Sequence, residues 1–142
     1  METTGKTAIT VESTVNAPVE KVWEIWGEPE HIKKWNSASD DWHTPHAEND
    51  LRTGGKFLST MAAKDGSFSF DFSGVYDEVV EHKSIAYSMA DGRKVSVTFT
   101  PEGDGTKVTE IFDAETQHSV EMQKAGWQSI LDNFKRYTEA QA

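Results

Sequence analysis

The chain has 142 residues, one domain's worth, and long enough to bury a core without staples. Its 14 Lys and Arg against 24 Asp and Glu leave a formal charge of −10, which argues against a nucleic-acid binder and against attachment to an anionic membrane surface. It contains no cysteine, which excludes disulfides, thiolate nucleophiles, iron–sulfur clusters and cysteine zinc sites.

Taken in chain order, residues Met1 to Lys6 lack the apolar stretch of a signal peptide and read, with the last few residues, as frayed ends. Thr7 to Val15 alternates, with Ile9, Val11 and Val15 on one face and Thr10, Glu12 and Thr14 on the other, as a half-buried strand does. Asn16-Ala17-Pro18 stops it. Asn16 or Ala17 is the expected helix cap, with Pro18 in the first helical position, where its missing N–H would be unpaired anyway. Val19, Val22, Ile25 and Trp26 recur at helical spacing until Gly27, and Pro29 opens a second short helix to about Trp35.

Asp41 to Ala47 reads as a strand with Trp42, Thr44 and His46 on one face, and Pro45 assigns it to a sheet edge. Asn49-Asp50 and Gly54-Gly55 bracket a turn before a strand from Phe57 to Met61, and Asp65-Gly66 is a hairpin signal. Ser67 to Val80 follows, with Phe68, Phe70 and Phe72 alternating against Ser69, Asp71 and Ser73. Three more strands carry Ile85, Tyr87 and Met89, then Val95, Val97 and Phe99, then Val108 to Phe112, with Asp91-Gly92 and residues 102–105 as turns. From Ser119, a candidate N-cap, Val120, Trp127, Ile130, Leu131, Phe134 and Tyr137 follow a 3.6-residue period.

This order predicts an α+β fold: a curved antiparallel sheet of about six to seven strands wrapped around a long C-terminal helix, with two short helices after the first strand. It forms a single domain over 1–142, with its core at about 7–138. There is no repeat or linker. No 18-residue apolar run occurs, so a soluble, cytoplasmic protein without membrane insertion is expected. Strands twist, so such a sheet curls. A single helix about 10 Å wide cannot fill its concave side, and the space left over is the kind of cavity that hosts ligands. Composition agrees: only 36% of residues are apolar, yet five are Trp, so the apolar mass is concentrated in large rings.

Trp35, Trp42, Phe57, Phe70, Phe72, Tyr87, Phe99, Phe112 and Trp127 fall on predicted inward faces. Each is either ordinary core or cavity wall; Met61 and Ile130 join them as expected ligand contacts. Alternation through Thr106, Val108, Glu110 and Phe112 turns Glu110 inward, as a base or an anchor for a polar ligand group, whereas a one-residue register change would turn it to solvent. Glu78 has a weaker claim, because a bulge at Gly74 would flip its face. His46 shares a face with Trp42 and is the expected partner of a ligand or of Glu110. His43 points the opposite way, so the two do not ligate one metal. His31, His82 and His118 read as surface residues. No metal motif occurs, and neither a metal nor a cofactor is expected. Gly54-Gly55 lacks the spacing and following helix of a nucleotide loop, and Gly-x-Ser-x-Gly is absent. Gly126, inside the long helix, marks either close approach of another element or room above the cavity.

Several segments carry a resemblance. They are Asn16-Ala17-Pro18-Val19-Glu20-Lys21-Val22-Trp23, Pro29-Glu30-His31-Ile32-Lys33-Lys34-Trp35, Leu51-Arg52-Thr53-Gly54-Gly55-Lys56-Phe57, Phe72-Ser73-Gly74-Val75-Tyr76, and Gly126-Trp127-Gln128-Ser129-Ile130-Leu131-Asp132-Asn133-Phe134. In this order and spacing, the chain resembles the START-like helix-grip superfamily, also called SRPBCC or Bet v-like. Within it, the chain is similar to the AHSA-type branch, named after the activator of the heat-shock chaperone ATPase. The resemblance implies a hydrophobic pocket between sheet and C-terminal helix. It does not select among carriers, cyclases and interaction modules, because function lives in the site rather than the fold.

The expectation is therefore binding of a hydrophobic, aromatic or lipid-like small molecule. The alternatives are a small enzyme of cyclase, dehydratase or hydrolase type using a cavity carboxylate, and a chaperone-ATPase-activator-like module. A chaperone partner is the weaker reading, since the chaperone activator proper carries an additional N-terminal domain for which this chain has no room. Homodimerisation through strand edges stays open.

Overall fold

The alternating run at the start of the chain forms β1 (Ala8–Val15), with Ile9, Val11 and Val15 buried as the pattern requires. The computed structural model describes residues 8–37, 40–89, 91–116 and 118–141. The expected start at Thr7 and the frayed end before it lie outside the described residues. α1 (Val19–Gly27) and α2 (Pro29–Trp35) follow. Pro18 is itself the N-cap of α1, one residue later than expected: its carbonyl accepts from Lys21 N and Val22 N, while the N–H of Asn16 is spent on Glu139 Oε2 at 2.8 Å.

Six strands come next: β2 (Trp42–Asn49), β3 (Lys56–Ala63), β4 (Ser69–Val80), β5 (Ser84–Met89), β6 (Lys94–Glu102) and β7 (Gly105–Asp113). All pairings are antiparallel in one sheet ordered β1-β7-β6-β5-β4-β3-β2, so the first strand pairs with the last and β2 is an edge, where Pro45 is tolerated. α3 (Val120–Gln141) closes the chain, with Met122 N bonded to Ser119 Oγ at 3.0 Å as its cap. The α+β helix-grip architecture is as the sequence predicts.

α3 packs on β1 and α2 on β2, from opposite margins of the curved sheet. They meet over Phe134, whose ring lies edge-on to Trp26 and Trp35, both at 4.9 Å. Asn133 Nδ2 donates to Trp35 O at 2.8 Å, and His31 Nδ1 lies 2.7 Å from the Tyr137 hydroxyl. His31, expected at the surface, is therefore a half-buried tie between α2 and α3. His82 is likewise half-buried, edge-on to Trp23 at 5.9 Å, whereas His118 is exposed beside Glu115. The small β-branched residues Val11, Val97 and Val108 and the aliphatics Ile25 and Leu131 fill the space where helix meets sheet directly.

Candidate functional site

Between the two helical margins the middle strands keep a concave face of rings, and a cavity of about 320 Å³ lies over it. Its sheet wall carries Phe57 and Met61 from β3, Phe70, Phe72 and Tyr76 from β4, and Tyr87 from β5. Trp127, Ile130 and Leu131 of α3 form the facing wall, one helical turn apart; Trp26, Ile32 and Trp35 close one end. Phe57 makes ring contacts with Phe72, Tyr76 and Tyr87 at 4.9–5.6 Å. Gly74 makes this possible: a Cβ there would sit 2.8 Å from the Phe57 ring. Glu48, Asn49, Arg93 and Glu115 supply polar groups to the lining.

Several polar lining groups are committed to the fold. The Tyr76 hydroxyl donates to Asn49 Oδ1, and Asn49 Nδ2 donates to Gly27 O at 2.7 Å, tying β4 and β2 to α1. Gln123 Nε2 donates to His118 O at 2.9 Å, and its Oε1 accepts from Glu115 N at 2.8 Å, fastening the loop before α3. Arg93 Nε is held by Asp91 Oδ2 at 2.7 Å.

Glu110 is different. The alternation of β7 holds, and the side chain lies inward, only 6% exposed, with cross-strand neighbours Val11 and Val97 that are almost wholly buried. Its carboxyl has no hydrogen-bond partner among the described residues. Desolvation alone pushes its pKa up, from an ordinary 4.5 to about 8, because a lone anion in apolar surroundings is costly. At neutral pH it is an uncharged acid that can donate a hydrogen bond. The Tyr87 hydroxyl also lacks a partner among the described residues, and its pKa is raised well above 10, first by burial and then by the Glu110 charge.

Of the expected contacts, Trp35, Phe57, Met61 and Phe70 are brought together around the cavity, as are Phe72, Tyr87, Glu110, Trp127 and Ile130. Four others sit elsewhere. His46 is exposed, with Nε2 2.6 Å from Glu48 Oε2, and forms no pair with Glu110. The β2–β3 register breaks between His43 and His46, around Thr44 and Pro45, so Thr44 stays buried while His46 turns out. Trp42, at the far end of the same strand, packs edge-on against Phe68 and Phe70 at 6.1 Å in a partly exposed cluster at the end of the sheet. Phe99 faces inward but beneath α1, against Trp23 and Trp26. Phe112 is covered by Trp127, whose ring stacks on it at 3.9 Å and 11°, so it supports the wall from behind. Glu78 is exposed, since β4 breaks register between Tyr76 and Glu78 rather than at Gly74.

Trp26 and Tyr76 line the cavity without having been singled out for it. For Tyr76 the signal was present, because it shares the β4 face of Phe72. Gln123, Arg93 and Glu115 have no comparable signal; their place depends on how loops meet.

Among the described residues no group of three or more His, Asp or Glu is placed to hold a metal ion, and no helix is long and apolar enough to cross a membrane. No curated protein matches the chain. The solution structure of the AHSA1-like protein from Aeromonas hydrophila is 49% identical, with a TM-score of 0.89 over 95% of this chain and 94% of that one. A solved protein from Cytophaga hutchinsonii is 56% identical, with a TM-score of 0.81 over 94% and 92%. Protein NE0264 from Nitrosomonas europaea, at 23% identity and a TM-score of 0.82 over 95% and 96%, shares the fold. The family model described as activator of Hsp90 ATPase homolog 1-like protein matches residues 16–139. With that match spanning most of its length, the chain belongs to the AHSA1-like family.

Proposed function

We propose that the protein binds a hydrophobic small molecule, aromatic or lipid-like, in the cavity between the sheet and α3. The observation that carries this reading is the cavity itself: about 320 Å³ walled by eight aromatic side chains, Trp26, Trp35, Phe57, Phe70, Phe72, Tyr76, Tyr87 and Trp127. Rings packed edge-to-face and tilted against one another resist collapse, so the space they wall stays available to a guest. A space of this size falls at the small end of ligand pockets. Family membership agrees, since the helix-grip fold commonly houses hydrophobic ligands. The test is thermal unfolding against a panel of small aromatic and aliphatic compounds. A ligand present at a hundredfold excess over its Kd stabilises by about 2.7 kcal/mol and lifts Tm by several degrees. A panel spanning both classes with no shift at saturation would refute the reading.

A further inference from the structure

The cavity is not uniformly apolar. Glu110 and Tyr87 are both more than nine-tenths buried, both line it, and neither polar group has a hydrogen-bond partner among the described residues. A buried polar group costs stability unless something bonds it. Across the strands Glu110 meets only Val11 and Val97, whereas the cavity that both groups line is open to a partner.

We propose that Glu110 and Tyr87 together recognise an uncharged oxygen of the ligand, a carbonyl or hydroxyl oxygen on an apolar skeleton, and that the cavity discriminates against carboxylates and amines. This rests on the reading that the cavity binds an apolar molecule. Both groups carry an O–H that can be given to such an oxygen, and a carboxyl kept neutral by apolar surroundings is an effective donor. The charges around the cavity disfavour an anion. Besides the uncharged Glu110, its acidic and basic lining residues are Glu48 and Glu115 against Arg93, and Arg93 is already engaged by Asp91. An amine would have to ionise Glu110 and bury the resulting ion pair beside valines. The desolvation of two charges there offsets or exceeds their attraction.

The experiment is isothermal titration at pH 7 with four probes of one chain length: 2-decanone, 1-decanol, decanoate and decylamine. Their size suits a cavity equal to roughly ten water volumes at ~30 Å³ each. The ketone and the alcohol bind at least about tenfold more tightly than the two ions, the difference expected of one or two buried hydrogen bonds. Glu110→Leu, which swaps a buried carboxyl for an apolar group and keeps the fold, lowers ketone affinity about tenfold; Glu110→Gln, which keeps a donor, largely restores it. Tyr87→Phe lowers it as well. If all four probes bind alike, if an ion binds tightest, or if Glu110→Leu leaves ketone affinity unchanged, the selectivity is overturned while the apolar reading stands. If no probe binds, both are overturned.

Discussion

Replacing Glu110 by Gln should make stability far less dependent on pH, and the size of the effect can be worked out. An exposed Glu in the unfolded chain loses its proton near 4.5, while the folded protein holds this one to about 8. Between those values the folded state binds a proton that the unfolded state does not, so folding stability falls as pH rises. Each pH unit in that window removes about 1.4 kcal/mol. From pH 5 to pH 9 the loss attributable to Glu110 is about 4 kcal/mol, a large part of a small domain's stability. Gln has the same shape and no such proton, so the variant escapes the loss. Other shifted carboxylates act elsewhere. Asp65, held down by its Ser67 hydrogen bonds, and Glu139, held down by Lys135, contribute above about pH 4 and lose that contribution as pH falls. Urea unfolding of both proteins at pH 5, 7 and 9 measures the difference directly. The stability of Glu110→Gln relative to the parent should climb by about 4 kcal/mol across the series. A difference that stays constant from pH 5 to pH 9 would show that the carboxyl is not buried and unpartnered, and the electrostatic argument would fall.

Two glycines give opposite expectations. A Cβ on Gly126 meets nothing within 4 Å, so no close approach of another element requires a glycine there, and Gly126→Ala should raise stability by about 0.5–1 kcal/mol in thermal or urea unfolding. A Cβ on Gly74 would lie 2.5 Å from Ser88 O as well as against Phe57, and Gly74→Ala should cost about 1–3 kcal/mol, visible as a lower urea midpoint. Because the Phe57 ring must move to admit it, the same variant should also weaken binding of any probe that the parent takes up.

Much of the architecture was legible because it rests on local rules. The alternation of β1 and β7, the prolines at the starts of α1 and α2 and the 3.6-residue period of α3 each translate directly into an element. The inward Glu110 was legible for the same reason, since β7 is paired on both sides without a register break. The errors fall where regularity stops. His46 was placed by extending an alternation that breaks after His43, and a strand pattern alone does not mark on which side of Thr44-Pro45 the extra residue is taken up. Phe99 and Phe112 face inward as expected, but which inward rings touch empty space depends on what lies above them. For Phe99 that is α1 and for Phe112 it is Trp127, and both are long-range arrangements. Trp42 joins Phe68 and Phe70 in a partly exposed cluster, again a long-range arrangement that periodicity does not carry.

The five tryptophans allow the central claim to be tested in one titration. Trp26, Trp35 and Trp127 line the cavity, whereas Trp23 and Trp42 lie outside it. In a proton–nitrogen NMR titration with 2-decanone, the indole signals of the first three should move as the ligand saturates, and those of Trp23 and Trp42 should stay in place. Shifts confined to Trp23 or Trp42, or five unmoved indoles in the presence of saturating ligand, would contradict a binding site in the cavity.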